Sequence, residues 1–429
     1  MAPQTQTTLT FRALDDADPE VAELIRKEYR RQSRTLELIP SENLASPAIL
    51  EALGTLLTNK YAEGYPGRRY YGGCEVMDDI ETLAQERARQ LFDAAYVNVQ
   101  PHAGSQANAA VYAAICKPGD RVMGMDLGAG GHLTHGSPAN FSGKLYDVQP
   151  YTVDRETELI DYDAVQRRAE EVRPTMLLVG FSAYPRHIDF ARMREIADSV
   201  GAVMVTDMAH FAGLVAGGAH PSPIPASHVV TSTTQKTLRG AWGGLILASD
   251  AERWRKPLDS AVFPGTQGGP LMHAIAAKAV CFGGARRPDF QDYARRVVEN
   301  ASALAGRLLE RGLRLTTGGT DNHLMLVDLR PFGLKGRQVQ SAADGVGLTV
   351  NSNAIPFDEA SRFNPSGVRL GSPSVTTRGM GPEQMREIGD CVADLLEALA
   401  EQRGEAALDA VRERTLDLSR RFPLPYAFA

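Results

Sequence analysis

Four short apolar runs constrain the fold of this chain more than any other feature. They are TMLLVGF (175–181), AVMVTD (202–207), HVVTSTT (228–234) and GGLILAS (243–249), all compact and together rich in β-branched residues. A strand covered on both faces reads this way, because neither side of it meets water. Amphipathic stretches such as DFARMREIADSV (189–200) separate some of them. Upstream, YVNVQP (96–101) predicts a further short strand, and GSQANAAVYAAI (104–115) a helix opening on glycine and serine. This alternation predicts an α/β fold built on a mostly parallel sheet.

Flanking segments differ in character. Asp18 can cap a first helix, with Pro19 at its first position. A second helix is expected after Ser46-Pro47 and another in DDIETLAQERARQLF (78–92). Between these two lies YAEGYPGRRYYGG (61–73), which has neither helical nor strand period; its tyrosines, glutamate and arginines suit a binding loop. After FPGTQGGP (263–270) a long helical stretch is expected over roughly 270–312. HLMLVDL (323–329), GLTVN (347–351), SGVRLG (366–371) and a helix pair near 382–414 then follow. The expected division is an N-terminal arm at 1–45, a large domain at 46–290 and a small α+β domain at 291–429.

The chain has 429 residues, of which 43% are hydrophobic and 23% charged, enough apolar material for a sizeable core. Its 52 acidic and 46 basic side chains are interspersed and sum to −6, which gives no bias toward nucleic acid or an acidic membrane. Neither a signal-peptide pattern nor an apolar run approaching about 18 residues is present, so a soluble cytoplasmic protein is expected. The four cysteines, Cys74, Cys116, Cys281 and Cys391, form no CxxC and read as reduced core residues.

Three local features point to chemistry. Gly104 and Ser105 open a helix just after a strand, where free N–H groups and the macrodipole favour an anion. Asp207 ends an apolar strand, at the edge where α/β ligand sites form. Lys236 follows the next strand, among small hydroxyl residues that bury an amine without pairing it to a carboxylate. Together they describe a pocket for pyridoxal phosphate: a helix start for the phosphate, a carboxylate for the ring nitrogen and a lysine for the Schiff base. His132 and His135 could also be a metal pair, but no carboxylate or cysteine cluster beside them is evident in the sequence, so no metal is expected.

The motifs ELIPSEN (37–43), NKYAEGYPGRRYYGGCE (59–75), NVQPHAGSQAN (98–108), GGHLTHGSP (130–138), FSGKLY (141–146), GFSAY (180–184), DMAHFAGLVA (207–216), AVFPGTQGGPLMH (261–273) and GGTDNHLMLVDL (318–329) occur in that order. In them the chain resembles the serine hydroxymethyltransferase family from about residue 10 to the C-terminus. The resemblance implies a type I pyridoxal-phosphate-dependent transferase fold and a homodimer with shared active sites. It implies Lys236 as the Schiff-base lysine, Asp207 at the pyridinium and His132 stacked on the ring, with Ser182 and His210 near the ring's phenolic oxygen. Gly104, Ser105, Gln106 and Thr233 would hold the cofactor, together with Gly268 and Gly269 and with Tyr61 from the other subunit. Arg369 and Ser41 would take the substrate carboxylate. Glu63 and Tyr71, again from the other subunit, would face the substrate side chain as proton-transfer and positioning groups.

Departures from the family pattern cluster beside the lysine. TQKTLRGAWGG (234–244) has Gln235, Ala241 and Trp242 where the family has histidine, proline and arginine. Ala103, Ala129 and Pro185 depart as well. Loss of one fixed charge and one titrating group beside the cofactor, with Gln235 and Trp242 placed among the substrate-binding residues, leads to the expectation of a retuned enzyme. It resembles the lincosamide-pathway enzymes, acting in specialised, antibiotic-type metabolism by C–S β-elimination or by decarboxylation and deamination of a cysteine conjugate. The alternative is an ordinary serine (or α-methylserine) hydroxymethyltransferase using tetrahydrofolate. Tetrahydrofolate is doubtful on this reading, because Glu63, Leu127, Leu133 and Asn353 match positions lining the pteridine site but suit a pocket for a bulky substrate equally.

Overall fold

A computed structural model describes residues 6–10 and 12–428. The chain divides into two compact units, one of residues 48–295 and one of residues 1–47 with 296–429. Among the described residues, no helix is long and apolar enough to cross a membrane.

The first unit is built on seven strands: β1 (Tyr96–Asn98), β2 (Arg121–Gly124), β3 (Asp147–Val148), β4 (Met176–Gly180), β5 (Val203–Asp207), β6 (Val229–Thr233) and β7 (Gly244–Ala248), in the spatial order β1-β7-β6-β5-β4-β2-β3. The pairs β3–β2, β2–β4, β4–β5 and β5–β6 are parallel, whereas β7 runs antiparallel to both β6 and β1. The four apolar runs form β4 to β7. Met176, Leu177, Val205, Val229, Leu245 and Ile246 all lie at or below 1% exposure, as strands covered on both faces require.

Some helices begin where the sequence offers a cap. Asp161 and Asp189 accept the first free N–H groups of the helices Tyr162–Val172 and Phe190–Val200. The long stretch after residue 270 splits in two. One helix runs Met272–Ala285 and the next starts at Pro288, whose ring cannot continue a helix but suits its first position. The tyrosine-rich loop contains a small hairpin, Gly64–Tyr65 with Arg68–Arg69, and Arg69 pairs there with Asp78 and the buried Glu81.

The second unit holds four antiparallel strands, β8 (Arg314–Leu315), β9 (Leu324–Asp328), β10 (Asn351–Asn353) and β11 (Gly367–Gly371), in the order β8-β9-β11-β10. The helices Pro382–Ala400 and Glu405–Arg421 belong to it. The segment around residues 36–38, far from the rest of this unit in sequence, is part of it. Leu36–Glu37 pairs in parallel with Leu348–Thr349, and Leu36 and Leu38 sit fully buried with Met325, Val327 and Leu370. Two leucines on either side of Glu37 supply the apolar contact that ties the segment down.

Candidate active site

A cavity of about 220 Å³ opens at the carboxyl edge of the parallel strands, the edge where α/β sheets bind ligands. Its walls come from the ends of β4 (Phe181, Ser182), β5 (Asp207, Ala209, His210) and β6 (Thr233, Gln235, Lys236), and from the start of α1, the helix Gly104–Ile115. His132 and Trp242 complete the lining among the expected residues. The structure therefore brings together Gly104, Ser105, His132, Ser182, Asp207, His210, Thr233, Gln235, Lys236 and Trp242. Gln106 follows on α1 but is not part of the lining.

At α1, Ala103 occupies the capping position with no side-chain hydrogen bond. The first N–H groups of a helix have no acceptor within the helix, so this end carries free donors and positive potential. Gly104 is required there. A Cβ would lie 2.5 Å from Thr233 Cγ2, so only glycine lets the helix start approach β6 this closely.

Asp207 is buried and fully engaged. Its Oδ1 accepts the Ala209 N–H at 3.0 Å, and its Oδ2 accepts Asn108 Nδ2 at 2.9 Å and His135 Nε2 at 3.2 Å. Burial alone would raise its pKa. The His135 hydrogen bond and charge, with the His132 charge and the Asn108 bond, outweigh that and hold the carboxyl well below the usual range. The donors are fixed in direction. His135 Nδ1 accepts the His132 N–H, so its proton sits on Nε2 and points at Asp207. Asn108 Oδ1 accepts Thr231 Oγ1 at 2.6 Å, which turns its amide toward Asp207 and Thr134; Thr134 Oγ1 in turn reaches His132 Nδ1 at 2.7 Å. A directed chain thus runs from Thr231 through Asn108 and Thr134 to the ring of His132.

The small hydroxyl residues around Lys236 staple its loop. Thr234 Oγ1 donates to Ala241 O, and the Thr234 N–H bonds Gly243 O at 3.1 Å, closing the loop across its base. Thr237 Oγ1 donates to His210 O at 2.8 Å and accepts the Gly213 N–H at 2.9 Å. Lys236 itself is half-buried on the cavity wall.

The remaining expected residues lie elsewhere. Tyr61, Glu63, Tyr71, Gly268 and Gly269 gather into one patch: the Tyr61 and Tyr71 rings are 5.0 Å apart, and a Cβ on Gly269 or Gly268 would lie 3.2 Å from the Tyr61 ring or 3.1 Å from Glu63 Oε1. None of the five lines the cavity. Ser41 and Arg369 belong to the second unit. Arg369, on β11, donates from Nε to Asn351 Oδ1 at 3.1 Å; burial draws its pKa down to about 10, against the charge of Glu42.

Sequence reasoning missed Asn108 and the partner of His135. The histidine pair does meet a carboxylate, for the ligand atoms of His132, His135 and Asp207 all lie within 4.8 Å of one another. The available signal for Asn108 was its helical spacing from Gly104 and Ser105, which puts it on the same face as the helix start.

The comparisons with known proteins cover almost the whole chain. Residues 14–392 match the family model described as Serine hydroxymethyltransferase. A serine hydroxymethyltransferase of Rhodospirillum centenum is 55% identical over 423 residues, spanning 98% of each chain. One of Zymomonas mobilis is 56% identical over 427 residues, spanning 99% of each, and one of Afipia carboxidovorans is 55% identical over 423 residues, spanning 98% of each. This likeness overturns the expectation of a retuned enzyme of antibiotic-type metabolism, and with it the likeness to lincosamide-pathway enzymes and the lyase chemistry. The departures behind that expectation are absorbed locally. Gln235 accepts the Gly243 N–H at 3.4 Å, Ala241 is buried with its carbonyl holding Thr234, and Trp242 is 73% exposed at the cavity rim. They leave the donors around Asp207 and the start of α1 intact. This chain belongs to the serine hydroxymethyltransferase family, whose members are pyridoxal-phosphate-dependent enzymes.

Proposed function

We propose that this protein interconverts serine and glycine with tetrahydrofolate as the one-carbon carrier, its pyridoxal phosphate seated in the cavity at the ends of β4, β5 and β6. One observation carries the reading: a helix start without a side-chain cap, a carboxylate held ionised and a lysine on a stapled loop line the same cavity. These residues fit the cofactor by their chemistry. The N–H groups at the start of α1, with Ser105 and Thr233, suit the phosphate. Asp207 suits a protonated ring nitrogen and Lys236 the aldehyde carbon. When bound, the cofactor supplies an electron sink for bonds at the substrate Cα.

The chain's own residues do the rest. Asp207 stays ionised because His135 and Asn108 donate to it, so it would hold a proton on the cofactor's ring nitrogen. His132, its Nδ1 tied back to Thr134, lines the cavity and is assigned to stack on the cofactor ring. Ser182 and His210 are assigned to the phenolic oxygen, and Arg369 with Ser41 to the amino-acid carboxylate on guanidinium chemistry.

The proposal includes a homodimer in which each copy completes the other's cavity. Its support is the gathering of Tyr61, Glu63, Tyr71, Gly268 and Gly269 on one patch apart from the cavity they are assigned to serve. On this patch Glu63 and Tyr71 are assigned to proton transfer and positioning at the substrate side chain. Exposure of Leu56, Tyr61 and Tyr70 accords with a covered surface. Cytoplasmic placement belongs to the same reading, supported by four buried, unbridged thiols.

The test is glycine formation by the purified, cofactor-loaded protein. Glycine is expected from serine plus tetrahydrofolate, at a rate that collapses when tetrahydrofolate is omitted. Loaded protein that turns over neither direction of this reaction overturns the proposal.

A further inference from the structure

The helix α2, Met272–Ala285, carries one lysine in the apolar stretch AIAAKAVCF, and it is buried to 1% exposure. Lys278 Nζ donates to three main-chain carbonyls, Val99 at 2.6 Å, Pro101 at 2.9 Å and Gly244 at 2.9 Å. Three acceptors use all three N–H bonds of an ammonium, and a neutral amine could serve only two. Burial draws the Lys278 pKa down to about 7, and the charge of Glu81 works against that.

Those carbonyls belong to the two segments that shape the cavity. Val99 and Pro101 lie on the short connection from β1 to the start of α1, and Gly244 opens β7 directly after the loop that carries Lys236. The Gly244 N–H also bonds Pro101 O at 2.9 Å, and a Cβ on Gly244 would lie 2.4 Å from Ala103 O. Gly243 leaves room for the amine, since a Cβ there would lie 2.1 Å from Lys278 Cε. Burying a charge is costlier than burying an apolar side chain of the same shape, so packing alone does not account for a lysine here.

We propose that Lys278 is a positioning residue for the cofactor phosphate: its ammonium binds the Val99–Pro101 connection to Gly244 and thereby sets the first turn of α1 against β6. The proposal rests on the pyridoxal-phosphate reading above.

Its test compares two ligands that differ only in the phosphate. Dissociation constants for pyridoxal phosphate and for pyridoxal are measured by visible absorbance on the wild type, Lys278→Met and Gly243→Ala. Thermal melts of the same proteins without ligand serve as folding controls. Expected is a loss of tenfold or more for pyridoxal phosphate and less than twofold for pyridoxal in Lys278→Met. Gly243→Ala, which displaces the amine without removing it, is expected to show the same selectivity. Equal losses for both ligands, no loss for either, or failure of both variants to fold would assign Lys278 to general stability and overturn the proposal. A wild type that binds neither ligand would instead sink the cofactor reading itself.

Discussion

Replacing Thr237 by valine removes one hydroxyl and almost no volume, which isolates the staple that holds the Lys236 loop. Thr237 is fully buried, and its hydroxyl serves two main-chain groups at once, the His210 carbonyl and the Gly213 N–H. Each group left without that partner in a buried setting costs about 1–3 kcal/mol. The pair together gives about 2–6 kcal/mol. For a folding unit of this size, each kcal/mol moves the midpoint by roughly 2–4 °C. The cofactor-free Thr237→Val protein should therefore melt roughly 4–24 °C below wild type when followed by far-UV circular dichroism. Thr237→Ser keeps both hydrogen bonds and loses one methyl, at about 1 kcal/mol. A valine variant melting within about a degree of wild type, or a serine variant as damaged as the valine one, would refute the staple.

Two further outcomes follow from the cavity. Gly104→Ala drives a Cβ into Thr233 Cγ2, so pyridoxal-phosphate binding should fall at least tenfold; adding Thr233→Ser, which deletes that methyl, should recover most of it, and absorbance titration of single and double variants decides the matter. Asp207 has its folded pKa depressed, so it favours the native state above the ordinary carboxylate value near 4, a contribution lost as pH falls toward the folded value. His135→Leu removes the leading hydrogen bond and raises that folded value, so acid unfolding should move to higher pH by roughly half a unit or more; an unmoved midpoint in an acid titration followed by circular dichroism counts against it.

Much of the fold was written in short-range pattern. The runs that became β4 to β7 read as buried strands because burial on both faces leaves no polar alternation. Asp207 and Lys236 were legible for a related reason, standing where such strands end and ligands gather. Their surroundings were not. Asn108 meets Asp207 across 99 positions and His135 meets it across 72, contacts that depend on side-chain direction as much as on spacing. In sequence the hydroxyls beside Lys236 suggest passive burial, whereas Thr234 and Thr237 hold main-chain groups. Lys278 passed unnoticed because one lysine in a helix ordinarily reaches solvent. Leu36 and Leu38 lacked enough neighbouring pattern to reveal a strand paired some 310 residues downstream. Gln235, Ala241 and Trp242 carry less than their place beside Lys236 suggests: three exchanges on one loop change a rim, while most of the chain still matches ordinary members of the family.

The reversal of β7 within an otherwise parallel sheet bears on how the amine is presented. Because β6 and β7 are antiparallel neighbours, with Thr233 opposite Gly244, the segment bearing Lys236 returns at once to the strand beside its origin. A crossover through a helix would have left that nucleophile on a longer, independently moving connection. Here both ends of its tether are hydrogen-bonded to one another, so the freedom lost in aiming the amine is lost when the protein folds. Little remains to be given up when a ligand arrives, and much of the effective concentration of that amine is set before any encounter.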